Sequence, residues 1–416
     1  MAAERLDAIV VGAGAAGLAC AADLVGGGLS VRLVEADGSP GGRMRTDRVS
    51  GFTVDRGFQV FNTSYPQVRK RLDLRRLRLR RFSPAVLVAT PRGNRRFTDP
   101  TRDLRGGRDL LVGRVASPRD LLAVGALSAR DMLEPTARLR SRPDTTTHAT
   151  LRKAGISEDL IETFFRPFLS GVFLEEDLDT SARVFHLVWR TFLRGTQCLP
   201  ADGIQAVPLQ LAAELPPGVL LTRAPVDSLT DGGVRLADGA ELDARAVVVA
   251  AGPRAAARLL PGLEIPEGRT VTTVYHAAER SPLTEPTLVV DERRRFLNTC
   301  VLTEVHPHFA RDGRALVSTS VLGELPPARD ASLRAALAEV YGTDTDSWET
   351  VHRTTVPDAL PAMPPHHPLT RTTRLRAGRY ACGDHRATGS LQGALASGAR
   401  AAREVLADLG RGRVRP

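Results

Sequence analysis

The sequence predicts an α/β fold built around a Rossmann-like parallel sheet, and three observations predict it. A short apolar strand, Leu6–Val11, runs directly into the turn Gly12-Ala13-Gly14-Ala15-Ala16-Gly17. An Ala/Leu-rich helical stretch follows over residues 15–25 and stops at Gly26-Gly27-Gly28. A further strand, Val31-Arg32-Leu33-Val34, then ends in an acid, Glu35. Strand, glycine turn, helix and strand in this order form a βαβ unit with parallel strands.

Each part of the unit has a physical task. Gly12 permits a tight turn; Gly14 has no Cβ, so a pyrophosphate can approach the backbone; Gly17 lets the helix pack close to the strand. The helix start at Ala15 and Ala16 offers unpaired N–H groups and the positive end of the helix dipole to phosphates. Glu35 lies 18 residues beyond Gly17, at the end of the second strand, where its carboxylate can accept hydrogen bonds from ribose hydroxyls. An acid at that point disfavours a 2′-phosphate and therefore NADP. The predicted ligand is a dinucleotide.

Composition narrows the class. The chain has 416 residues, 42% of them hydrophobic and 25% charged, ordinary for two or three folded domains and able to bury an ample core. Disorder, collagen-like repeats and a disulfide mini-scaffold are excluded. Of the 57 basic residues only Lys70 and Lys153 are lysines. The net charge of +10 is concentrated in residues 69–108, which carry 14 basic and 3 acidic residues, so the rest is nearly neutral. The basic run from Arg69 to Arg81 reads as a solvated face. Docking to an anionic membrane surface is the alternative reading. Nucleic-acid binding is disfavoured because no aromatic residues interleave with the charges.

The four cysteines, Cys20, Cys198, Cys300 and Cys382, are far apart and form no C-x-x-C pair. That argues against a zinc ribbon or disulfide framework and fits a reducing compartment. The small apolar stretch of residues 8–22 follows Glu4 and Asp7 instead of a positive region, so it reads as the first strand and helix, not as a signal peptide. No apolar run is long enough to span a bilayer, and a cytoplasmic location is expected. His306 and His308 flank a proline, and His366-His367 lies in a proline-rich run. None shares metal-type spacing with an acid or cysteine, so no metal is expected and these histidines read as solvated loop residues. His385 reads either as a loop residue near the pyrophosphate or as a polar group beside the cofactor ring.

After Glu35 the chain continues Ala36-Asp37-Gly38-Ser39-Pro40-Gly41-Gly42-Arg43-Met44-Arg45-Thr46, and then Gly51-Phe52-Thr53-Val54-Asp55-Arg56-Gly57 followed by Phe58 and Gln59. The stretch from Ala36 to Thr46 resembles the E-A…G-G-R-x-x-T signature of the flavin amine oxidase superfamily, which includes phytoene-desaturase-like and protoporphyrinogen-oxidase-like enzymes. The stretch from Gly51 to Gly57 is similar to the family's G-F-x-x-D-x-G segment, which lies near the flavin. Two D-G turns between apolar runs, at Asp231-Gly232 and Asp238-Gly239, signal a β-meander; it ends in Val247-Val248-Val249-Ala250-Ala251-Gly252-Pro253, which resembles the family's second FAD motif. Tyr380-Ala381-Cys382-Gly383-Asp384, followed by Gly389-Ser390-Leu391-Gln392-Gly393, resembles its closing motif. Leu199-Pro200-Ala201-Asp202-Gly203 resembles the family's P-x-G-G, with Asp202 in place of the first glycine.

The resemblance implies a Rossmann-like FAD-binding domain of the two-dinucleotide-binding type, discontinuous over residues 1–85, 197–265 and 366–416. An inserted α+β substrate domain would occupy 86–196 and 266–365. It implies that Gly42, Arg43, Gly57, Phe58 and Gln59 lie along the cofactor, with Arg43 on the pyrophosphate or the flavin edge. It further implies that the Val226 backbone meets the adenine, that Gly383 and Asp384 hold the ribityl chain, and that the helix start at Ser390 and Leu391 faces the pyrimidine.

The expected activity is a two-electron oxidation of a C–C or C–N bond of a largely apolar small molecule, by hydride transfer to flavin N5, with O₂ or a quinone as acceptor. Neither lysine falls where monoamine and polyamine oxidases keep one near the flavin, and Ser390 stands where they carry a tyrosine, so simple amine oxidation is not favoured. Residues 360–378 contain no cysteine, so non-covalent FAD is expected. No side chain is assigned as a catalytic base. The alternatives are a membrane-associated isoprenoid desaturase or isomerase and a flavin-binding protein without turnover.

Overall fold

The computed structural model describes residues 5–103 and 116–410. The predicted strand–turn–helix–strand is present as Leu6–Val11, the helix Ala15–Gly26 and Val31–Val34. Its strands belong to a parallel sheet in the order Leu220–Leu221, Val31–Val34, Leu6–Val11, Glu241–Val249, Arg379–Ala381. Val10 is flanked by Leu33 on one side and Val248 on the other. Ala8, Ile9, Val10, Val247 and Val248 are fully buried. Both faces of the sheet are covered, which is why these strands read as unbroken apolar runs instead of alternating ones.

The meander is confirmed with one difference. Val226–Leu229, Gly233–Leu236 and the first half of Glu241–Val249 form antiparallel neighbours. Leu220–Leu221, at the start of the stretch 219–252 that reads as alternating strands and turns, instead joins the parallel sheet beside Val31–Val34. The second half of Glu241–Val249 carries the parallel pairing to both Leu6–Val11 and Arg379–Ala381, so one strand ties the middle and end of the chain to its beginning. The C-terminal helix Leu391–Asp408 packs closely on Ala15–Gly26: a Cβ on Gly398 would sit 2.0 Å from the Ala16 carbonyl oxygen.

A separate sheet of seven strands runs in the order Glu349–Pro361, Gly268–Ala278, Ala315–Leu322, Asn298–Val301, Leu288–Asp291, Ala85–Thr90, Gly93–Thr98. All its pairings are antiparallel except Leu288–Asp291 with Ala85–Thr90. Side chains alternate between two cores, as the period of a strand requires. Val88 and Val290 pack with Leu151, Phe165 and Phe185 of the helices Thr147–Lys153 and Ala182–Arg194 and the π-helical turn Ile161–Phe165. Leu87, Ala89 and Val289 pack on the other side with Leu333 and Leu337 of the helix Asp330–Tyr341. Of the leucines that give residues 105–195 their helical spacing, Leu110 and Leu111 lie outside the described residues.

The reading of the loop histidines as solvated is corrected for two of them. His306 and His367 are each only 5% exposed. His306 packs against the Phe309 ring, and His367 Nε2 lies 2.9 Å from the Ala387 carbonyl. Tertiary packing folds both rings inward, which local composition does not reveal.

Candidate active site

The glycine turn is shaped as its residue types dictate. Gly12 has φ +102°, a conformation open mainly to glycine, and its N–H donates to the Val34 carbonyl at 2.7 Å. A Cβ on Gly17 would lie 1.9 Å from the Gly12 carbonyl oxygen, so only glycine lets the helix start this close to the strand. Gly14 differs: a Cβ there would meet nothing within 4 Å. No side chain caps the helix start at Ala15 and Ala16. Its first N–H groups therefore face open space beside Gly14, as a cradle for a pyrophosphate requires.

Glu35 is 8% exposed. Its Oε2 accepts from the Ala13 N–H at 2.6 Å and its Oε1 from the Asp37 N–H at 3.0 Å. The carboxylate thus braces the glycine turn as well as ending the strand, and each oxygen keeps a lone pair for a ribose hydroxyl. Ala36 beyond it is exposed. The Glu35 carbonyl accepts from Ala224 N–H at 2.8 Å, which brings the buried Val226 to the same end of the sheet.

The glycine pair closes on this turn from the other side. Gly41 N–H donates to the Ala13 carbonyl at 3.0 Å, and a Cβ on Gly42 would approach Gly14 Cα at 3.4 Å. Arg43 leaves the pair and spans the cleft. Its Nη2 contacts Asp384 Oδ1 at 2.5 Å, and its Nη1 donates to the carbonyls of Asp358 at 3.2 Å and Ala359 at 2.8 Å. Asp384 beside it raises the guanidinium pKa further. Gln59 Nε2 donates back to the Arg43 carbonyl at 2.8 Å. Gly57 takes φ +81° beside Val356, and the Phe58 N–H donates to Thr273 Oγ1 at 3.2 Å. A cavity of about 400 Å³ opens here, lined by Gly42, Arg43, Arg56, His352 and Val356 among others.

The closing motif completes the arrangement. Gly383 N–H donates to Ser397 Oγ at 3.1 Å, which ties the Gly-Asp turn to the last helix. Asp384 begins a short 3-10 turn and accepts from the His385 N–H at 3.0 Å. Ser390 is the N-cap of Leu391–Asp408, its Oγ accepting from Gly393 N–H at 3.0 Å. His385 is buried, its Nε2 has no partner among the described residues, and burial pushes its pKa down to about 4. It is therefore a neutral ring beside the Arg43–Asp384 pair.

Three further contributors have roles that the sequence does not assign, Asp55 among them although it stands in the Gly51–Gly57 segment. Asp55 is buried and accepts from Thr46 Oγ1 at 2.6 Å and Ile204 N–H at 3.0 Å, and burial raises its pKa to about 6. With Gln205, which donates to Ser39 Oγ and the Pro40 carbonyl, it locks the loop carrying the glycine pair to the turn after Pro200. Asp358, at φ +52° inside the strand Glu349–Pro361, turns its carbonyl toward Arg43 and pairs with Arg254 at 2.6 Å. Gly268 opposite leaves room for it: a Cβ there would lie 1.8 Å from Asp358 Oδ1. The kink depends on a glycine far upstream, so nothing local to Asp358 signals it.

The open helix start, the facing glycines, a ribose-side acid and a cationic clamp meet the demands of FAD: room at Gly14 and Gly42 for a pyrophosphate, uncapped N–H groups and a cation. The family profile of flavin containing amine oxidoreductases matches residues 15–406. The chain belongs to that family and is an FAD-dependent oxidoreductase. Among solved structures it is similar to a putrescine oxidase bound to putrescine, with 19% identity, 97% of this chain and 99% of that one covered, and a TM-score of 0.66. It is also similar to a protein of Exiguobacterium sp. 255-15 provisionally named protoporphyrinogen oxidase, at 18% identity, coverage of 98% and 99%, and TM-score 0.70. A third is the cyclohexylamine oxidase of Brevibacterium oxydans IH-35A, at 17% identity, coverage of 98% and 100%, and TM-score 0.70. No curated protein matches the chain in a sequence search.

Proposed function

We propose that the chain oxidises a C–N or C–C bond of a small organic molecule, with FAD held non-covalently and O₂ as the final acceptor. The observation that carries the cofactor placement is the open space at Gly14 facing Gly42, beside an uncapped helix start. In this reading Gly12, Gly14, Ala15, Ala16 and Gly17 receive the pyrophosphate. Glu35 and Ala36 hold the adenosine ribose, and Val226 supports the adenine. Arg43, Gly383 and Asp384 orient the central part of the cofactor. Gly42, Gly57, Phe58, Gln59, Ser390 and Leu391 surround the ring. Residues 1–85, 197–265 and 366–416 form the cofactor domain, and 86–196 with 266–365 the substrate domain.

Bound FAD supplies the two-electron acceptor. The chain supplies position and charge: the dipole of Leu391–Asp408, with its N-terminus at Ser390, favours negative charge in front of it. Both lysines are exposed, Lys70 on the helix Pro66–Arg71 and Lys153 at the end of Thr147–Lys153. Neither lines the cavity beside Arg43. This supports a reaction in which the protein aligns the substrate without a lysine in the cleft. Cyclic and acyclic amines, and hydrocarbons with an oxidisable C–C bond, titrated anaerobically into the yellow protein should separate the substrate classes: bleaching of the flavin band by one class identifies it. A protein that retains FAD but is bleached by none is a flavin-binding protein without turnover, and the proposal then fails.

A further inference from the structure

Another cavity, of about 520 Å³, lies under the basic segment and shares no lining residue with the cavity beside Arg43 or with the cofactor motifs. Thr63, Leu74, Leu79 and Cys198 line it together with arginines of the basic segment. The floor is the small sheet of Phe61–Asn62, Gln197–Leu199 and Arg80–Arg81. Arg81 pairs with Cys198 and Arg80 with Leu199, so by strand alternation Arg81 shares the Cys198 face while Arg80 turns to the opposite one. The Arg81 charge opposes the burial that pushes the Cys198 thiol up to about 11, while burial and then the charges of Arg80 and Arg78 depress the pKa of His306.

Four arginines line the concavity, Arg75, Arg78, Arg80 and Arg81, and strand alternation turns the Arg80 side chain away from the Cys198 face. Arg78 adopts φ +47° and pairs with Asp202 at 2.5 Å. Asp202 is the residue that stands where the family pattern has glycine, so this departure from the pattern fixes one arginine at the rim. Arg75 and Arg81 are exposed, and neither has a carboxylate partner among the described residues. Thr63 Oγ1 accepts from the Thr196 N–H at 2.9 Å, which leaves its hydroxyl proton free to donate into the cavity. Leu74 and Leu79 make an apolar side. Arg75 and Arg81, two like charges without carboxylate partners in one concave site, repel one another, and a multiply charged anion relieves that repulsion.

We propose that this cavity binds a small oxyanion of the phosphate class, held by Arg75, Arg78 and Arg81 with the Thr63 hydroxyl, at a site separate from the cofactor cleft. The proposal does not depend on the substrate assigned to the flavin. Concavity sets it apart from a flat membrane-docking face, but a phosphate can be free or part of a lipid headgroup, and the test distinguishes them.

Pyrophosphate is titrated calorimetrically into the FAD-loaded full chain at low salt. Saturable binding is expected, at least ten-fold weaker in Arg75→Gln/Arg81→Gln and several-fold weaker in each single variant. Arg92→Gln/Arg376→Gln removes the same charge at two exposed sites elsewhere and should bind as the unmutated protein does. Absorbance of the bound flavin should be unchanged in all variants, and the exposed single variant Arg75→Gln keeps the test available if the double variant folds poorly. No saturable binding, or equal weakening by both double variants, would overturn the site. In a parallel co-sedimentation with phosphatidylglycerol vesicles, no association identifies a free ligand, and association displaced by pyrophosphate identifies a headgroup. Association that pyrophosphate leaves intact would overturn the proposal in favour of a lipid-docking face.

Discussion

Arg43 and Asp384 stand 341 residues apart in the chain and 2.5 Å apart in space, joining the glycine pair after the second strand to the turn before the last helix. Asp384 is nearly buried, with 7% of its side chain exposed, and Arg43 keeps 34%. Removing the cation leaves a carboxylate with little water and no other cationic partner among the described residues, while removing the carboxylate leaves Arg43 its two carbonyl acceptors. The asymmetry sets an expectation. Arg43→Met should lower the stability of the apoprotein by about 1.5–3 kcal/mol, the range for a hydrogen bond to a charged group, and Asp384→Asn by less. Both should weaken FAD retention. Urea unfolding of the apoproteins together with FAD titration checks this, and equal stability losses would show that the pair is not asymmetric.

Two glycines of one motif should behave in opposite ways. A methyl group at Gly14 enters open space, whereas at Gly17 it lies 1.9 Å from a backbone oxygen. Gly14→Ala should leave the apoprotein within about 0.5 kcal/mol of the unmutated chain, as substitutions away from packed features do, yet reduce FAD affinity at least ten-fold. Gly17→Ala should destabilise the apoprotein by about 1–3 kcal/mol or more through overpacking. Thermal melts before and after FAD addition separate the two effects; a stable Gly17→Ala apoprotein would refute the packing role.

How much of this was legible in the sequence depends on how local each feature is. The glycine turn and Glu35 are carried by contiguous residues, so spacing locates them, whereas the start of the last helix at Ser390 comes from the resemblance of the closing motif to the family's. Four strands of the seven-stranded sheet are readable from the apolar and β-branched runs 271–275, 287–290, 296–302 and 316–321, but not that Ala85–Thr90 and Gly93–Thr98 would complete it from far upstream. The Arg43–Asp384 contact, the Asp55 link to Ile204 and the Asp358 carbonyl are long-range, and nothing near those residues marks their partners. The inward turn of His306 and His367 was hidden for the same reason. Composition reports that a stretch is polar and proline-rich, and only tertiary packing decides which ring is desolvated.

Stability should fall in mild acid. Burial pushes His276 and His385 down to about 4, and each keeps a ring nitrogen without a partner among the described residues. A histidine whose folded pKa lies below its unfolded value of ~6.5 takes up a proton on unfolding. Its contribution is fully present above that value and is lost as pH falls toward 4. Asp55 works the other way: burial raises it to about 6, so its contribution is present in acid and lost as pH rises through 6. Between pH 7 and 5 the two histidines together lose about 4 kcal/mol and Asp55 regains about 1, a net loss of about 3 kcal/mol. Urea unfolding at the two pH values measures the difference. His276→Gln should remove about half of the histidine part, and a variant with an unchanged pH slope would locate the titration elsewhere.

The cysteines decide how the flavin is held. All four are buried, and Cys382, the one inside the closing motif, packs against Cys20 in the core beneath the parallel sheet. The hydrogen bond that the Cys20 thiol makes to Cys382, together with burial, pushes it well above its usual range, and burial alone does the same for Cys300. A thioether to the flavin needs a reactive sulfur at the ring edge, and all four sulfurs are enclosed. Acid precipitation should therefore leave all the flavin in the supernatant, and a thiol reagent should label none of the four cysteines until the chain is unfolded. Flavin retained in the acid pellet, or rapid labelling of Cys382 in the native protein that stops when FAD is bound, would place a sulfur at the ring and reverse the non-covalent assignment.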